Sequence, residues 1–139
     1  IIVVFVLGSI FGLRVSPREK ALGLMREKAR KIGLHPRLIA APEWTHVPMA
    51  TEKRASMVAN YSVLIPDARL PLMRARVEDQ KLKLIQGDEK FNDFPIALKG
   101  IYAIDMQANY VGIYWDEESD LKASQLEDMK AYLLHLAEI

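Results

Sequence analysis

Cysteine is absent from all 139 residues. With it go disulfides, thiolate metal sites and cysteine nucleophiles. Histidine is scarce: His35, His46 and His135 stand far apart and share no ligand spacing such as HxxxH or HExxH. Neither the Walker loop nor the dinucleotide-binding glycine pattern occurs, and the GxSxG nucleophile turn is missing too. The acidic pairs Glu78-Asp79 and Asp88-Glu89 are neighbours in sequence. On a strand their carboxylates would face opposite sides and could not share a substrate. No catalytic, cofactor-binding or metal-ligating residue is therefore nominated, no cofactor is expected, and the chain reads as a non-enzyme.

The composition is that of a folded protein, 50% apolar and 27% charged, with length for one modest domain. A net charge of +1 hides an uneven distribution. Arg14 to Lys31 holds seven cations against two glutamates, whereas Asp116 to Ile139 holds seven acids against Lys122 and Lys130. A chain polarised in this way is expected to turn its basic end toward a membrane or another polyanion.

The apolar run IIVVFVLGSIFGL, ending at Arg14, is the longest such stretch. Hydrocarbon takes roughly 20 apolar residues to cross. The run is read as the inner half of a transmembrane helix over 1–15, with the rest of the span preceding Ile1. A secretory signal would place its positive charge before the apolar region, the reverse of the order here. Gly8 and Gly12 form a GxxxG pair at which a second membrane helix could approach closely. The positive-inside rule then puts the remainder of the chain in the cytoplasm, at the inner (plasma) membrane.

Residues 16–33 are expected to form a basic juxtamembrane helix. Ser16 caps it, Pro17 opens it, Glu19 completes an S-x-x-E box and Gly33 stops it. Leu22, Met25, Ala29 and Ile32 fall on one stripe. Arg14, Arg18, Arg26, Lys28, Arg30 and Lys31 are the candidate contacts to anionic lipid headgroups, at about 1 kcal/mol each.

Residues 34–139 are read as a small cytoplasmic domain. RLIAA over 37–41, MVANYSVLI over 57–65, then 72–77 and 81–85, have the β-branched content and boundaries of strands. Ile96 to Trp115 reads as a hairpin turning at 106–109. Asp116 to Asp120 is expected to start a last helix, buried along Leu126, Met129, Leu133 and Leu136. Trp44, in a proline-bounded loop, and Phe91 and Phe94, in GDEKFNDFP, are candidate partner contacts. Tyr102, Tyr110, Tyr114 and Trp115 are assigned to core and cross-strand packing, because Lys and Arg are not interleaved with them as nucleic-acid stacking requires. The fold class is α+β: a partial transmembrane helix, a basic helix, an antiparallel sheet of about four to six strands, and a packed C-terminal helix.

An apolar anchor followed by RVSPREKALGLMREKARKIG resembles the start of the small accessory proteins of the bacterial Sec translocase, the YajC type. The resemblance covers the first 33 residues, and the strands after Met57 depart from that family's shorter β domain. It implies one span, a basic helix and a small cytoplasmic domain, and carries over no functional residue. The expected function is a non-catalytic accessory or assembly subunit of a bacterial inner-membrane complex, respiratory or translocase in type. Its partners would be integral membrane subunits and anionic lipid, with neither nucleic acid nor a small-molecule substrate. The alternative is a membrane-tethered module that binds or senses a ligand or peptide.

Overall fold

Strand β2, Met57–Leu64, shows why the sheet has two unlike faces. Successive side chains of a strand alternate, so Ala59, Tyr61 and Val63 point to one side while Val58, Asn60 and Ser62 point to the other. All six are buried. The first set joins the main hydrophobic core. The second carries polar groups that need partners of their own.

The structure, a computed structural model, describes residues 16–47 and 57–139. Helix α1 (Pro17–Lys31) leads into β1 (His35–Ala40), a 3-10 turn at Glu43–Thr45, and then β2. Strands β3 (Leu70–Glu78), β4 (Lys81–Gln86), β5 (Ile101–Ala108) and β6 (Tyr110–Trp115) follow, and helix α2 (Leu126–Glu138) ends the chain. The six strands form one antiparallel sheet in the order β1-β2-β6-β5-β3-β4.

Both helices lie on the apolar face. Met25 and Ala29 of α1 share the core cluster with Leu126, Met129, Leu133 and Leu136 of α2 and with the inward side chains of five strands. Burial of each large apolar side chain contributes roughly 1.5–3 kcal/mol. Helix α1 starts where its sequence specifies: Ser16 Oγ accepts from Glu19 N–H at 3.1 Å. It ends in a Schellman arrangement, with Leu34 N–H donating to Ala29 C=O (2.9 Å) and Gly33 N–H to Arg30 C=O (3.2 Å). Gly33 takes φ +96°, a value that side chains disfavour.

The single-pass architecture requires correction. Among the described residues no helix is long and apolar enough to cross a membrane. Helix α1, at 15 residues, spans about 22 Å, and more than half of those residues are charged. What the described residues form is an α+β domain of six antiparallel strands and two helices. The proposed span over 1–15, with Gly8, Gly12 and Arg14, lies outside the described residues.

Two further expectations shift. The first strand of the hairpin expected over 96–115 begins at Ile101 and not at Ile96, because Gly100 at φ +74° turns the chain first. Asp116–Asp120 does not open the last helix. Glu117–Asp120 is a separate 3-10 turn, and Glu117 is only 6% exposed. Its carboxylate takes a two-pronged pair from Arg26, Nη2 to Oε1 at 2.7 Å and Nε to Oε2 at 2.9 Å, and accepts the Tyr61 hydroxyl as well. Helix α1, β2 and the turn after β6 thus meet at one charge.

Breaking a buried pair leaves the other charge uncompensated. Glu117→Ala is expected to cost about 3 kcal/mol, read as a lowered urea midpoint at unchanged slope. A loss below about 0.5 kcal/mol, the scale of an ordinary surface substitution, would show that the tie is not structural.

Candidate functional site

The sheet face opposite the helices is covered only in part. Val58, Ala103 and Tyr114 form a small second cluster beneath Ile39, Trp44, Val47 and Tyr102. The Trp44 ring meets Tyr114 edge-on, centroids 5.6 Å apart, and the Arg74 guanidinium sits 5.7 Å over Trp44. Beyond this lid the register lines up polar residues. Arg37 faces Asn60, Asn60 faces Tyr114, Gly112 faces Asp105, and Asp105 faces Arg74. Arg37 Nη2 donates to Asn60 Oδ1 (3.1 Å), Asn60 Nδ2 donates to the Tyr110 hydroxyl (2.8 Å), and the Tyr114 hydroxyl donates to Asp105 Oδ2 (3.2 Å). Gly112 is required here, since a Cβ at that position would collide with the Tyr110 hydroxyl lying over it.

Burial governs the protonation of this row. It pushes the Asp105 carboxyl up to about 6, against the opposing influence of Tyr114, Tyr110, Arg74 and Arg37. Asp105 Oδ1 is buried with no hydrogen-bond partner among the described residues. Burial, with Asp105 nearby, also pushes the Tyr110 phenol up to about 12 and raises Tyr114. At neutral pH the phenols are neutral donors and not tyrosinate nucleophiles. The row orders the sheet; it does not assemble a nucleophile with a base.

A different feature is open. At the end of the sheet where β1 finishes and β2 begins, a cleft of about 420 Å³ is framed by α1 and the turn after β6. Leu22, Leu38, Met57, Ala59 and Trp115 supply apolar wall; Arg18, Arg26, Glu117 and Glu118 supply a paired charged rim. Leu38 and Met57 are 53% and 51% exposed, high for large apolar residues. The Trp115 indole N–H is buried and has no hydrogen-bond partner among the described residues. A smaller cleft of about 200 Å³ lies between Thr45-His46 and β3, beside Arg76, which contacts the His46 imidazole.

The two sheet edges are treated differently. On β4 the outer backbone is taken up by the following loop. Leu82 N–H donates to Phe94 C=O (2.8 Å), Asp93 N–H to Leu82 C=O (2.8 Å), Ile96 N–H to Gln80 C=O (3.0 Å) and Leu84 N–H to Asn92 Oδ1 (3.1 Å). On β1, the other edge, none of the backbone bonds made outside strand pairing among the described residues involves residues 35–40.

The residues singled out from sequence scatter. Arg18 pairs with Glu118, Arg26 with Glu117, and Lys28 Nζ donates to Ala123 C=O at 2.9 Å. Three of the five described headgroup candidates are therefore turned onto the domain itself, while Arg30 and Lys31 are exposed on the helix. Trp44 is half-buried over Tyr114. Phe91 is 1% exposed, a core residue that offers no surface. Phe94 packs against Tyr132 and His135 near the β4 edge. Trp44, Phe91 and Phe94 thus form no common contact. The three histidines sit on separate elements, and among the described residues no group of three or more His, Asp or Glu is placed to hold a metal ion. Sequence reasoning missed Asp105, Asn60 and Glu117. The available signals were a carboxylate on the core pattern of IYAIDM and a glycine inside the aromatic strand YVGIYW. Comparison of the chain with protein-family models, curated proteins and solved structures gives no match.

The raised Asp105 fixes a pH dependence. The folded state holds its proton more tightly than the unfolded chain, whose ordinary value is about 3.9. Its contribution is fully present below pH 4 and is lost as pH rises through about 6. Asp105→Asn should remove a decline on the order of 2 kcal/mol between pH 4 and 7. Urea unfolding of both proteins across that range measures it, and parallel pH profiles would rule the assignment out.

Proposed function

We propose that this chain is a non-catalytic accessory domain that holds another polypeptide through the β1 side of its sheet. The observation that carries the reading is the contrast between the edges, β4 sealed by its own loop and β1 left uncovered by the described residues beside the cleft at Leu38 and Met57. An unpaired edge is a liability that folded proteins ordinarily cover, and large apolar side chains left beside it add to the cost of leaving it bare. The buried row on the outer face supports the same reading. The Tyr114 hydroxyl bonds Asp105, Asn60 bonds Tyr110 and Arg37, and Arg74 stacks on Trp44, so the row stiffens the platform on which β1 rests. An accessory or assembly subunit needs such a rigid platform and one exposed border, and no reactive group.

Site-specific photo-crosslinking in the native cell tests this. A benzophenone side chain at Leu38 should give a discrete adduct of stoichiometric yield, and one at Ile85, comparably exposed beside the sealed edge, should give none. Adducts at Ile85 alone, or none at Leu38, would refute the reading.

A further inference from the structure

Resting on the reading of the chain as a protein-binding domain, we propose that β1 receives an extended segment of its partner as a seventh strand, in which large apolar residues alternate with acidic ones. Backbone hydrogen bonding sets the mode. A strand can be added only where donors and acceptors are unspent, and among the described residues the edge that offers them is β1, Pro36 alone lacking a donor. Side chains set the chemistry, because an added strand presents alternate residues to the two faces.

On the helix side, the residues of an added strand run past Leu38 toward the cleft. Its volume of about 420 Å³ admits a leucine or phenylalanine side chain with room left over, and its walls at Leu22, Leu38, Met57 and Trp115 are apolar. Four of its rim charges are matched as Arg18–Glu118 and Arg26–Glu117, and the fifth, Asp116, is negative, so the cleft favours an uncharged occupant and disfavours an acidic one. On the opposite side β1 offers His35 and Arg37, and Arg37 is held in place by Asn60. Neither β1 nor β2 contains an acid. The residues of an incoming strand that face this side therefore meet the exposed Arg37 guanidinium, whose charge reaches the buried Asp105 but has no acid on β1 or β2 to pair with, and acidic side chains complement it.

The test uses the full chain and three fluorescein-labelled octapeptides: one alternating Glu with Leu, one alternating Lys with Leu, and a scramble of the first. The Glu–Leu peptide should bind at least ten-fold more tightly than the other two by anisotropy. It should slow amide exchange across 35–40 and leave 81–86 unchanged. Arg37→Glu, with an unaltered far-UV spectrum, should reverse the preference between Glu and Lys peptides. Equal affinity for all three, protection at β4 in place of β1, or an order unchanged by Arg37→Glu would overturn the proposal. So would concentration-dependent dimerisation by light scattering that Leu38→Glu abolishes, since the occupant would then be a second copy. Crosslinks at Leu38 without peptide binding would sink this proposal alone and leave the accessory reading standing.

Discussion

Everything about the open end of this sheet depends on one buried carboxylate. Glu117 would be costly to bury alone, and it is tolerated because Arg26 binds both of its oxygens and Tyr61 donates to it. Those partners belong to α1 and to β2, 91 and 56 residues away in sequence. The arrangement fixes the angle at which α1 meets the sheet. It also sets the cleft, whose rim is that ion pair and its neighbour Arg18–Glu118.

The same economy explains the basic helix. Its cations look unmatched when the N-terminal part of the sequence is taken alone, and a membrane surface is the natural complement for them. In the fold, the acids that follow β6 are the complement. Arg18 and Arg26 meet Glu118 and Glu117, and Lys28 reaches the backbone at Ala123. Part of the charge separation along the chain closes internally, in two ion pairs between its basic and acidic segments.

What was legible in the sequence was whatever depends on local period. The stripes Leu22-Met25-Ala29 and Leu126-Met129-Leu133-Leu136 are buried as spaced, the cap at Ser16 forms, and the strands fall near where β-branched runs place them. What was not legible depends on pairing at a distance. Nothing in IYAIDM announces that Asp105 will lie between two tyrosines and two arginines contributed by three other strands. Nothing in GDEKFNDFP shows that its backbone will seal β4 while Phe91 drops into the core. Arginine and tyrosine, separate along the chain, become neighbours only through the order β1-β2-β6-β5-β3-β4. The single-pass architecture was an inference from one local run, and no described helix carries it.

The loop over 92–96 has a further consequence. By closing β4 it gives the sheet a valence of one. Head-to-tail growth, in which the border of each copy templates the next, needs two reactive ends. With β4 closed by its own loop, copies of this chain cannot stack border to border by pairing the β4 of one with the β1 of the next.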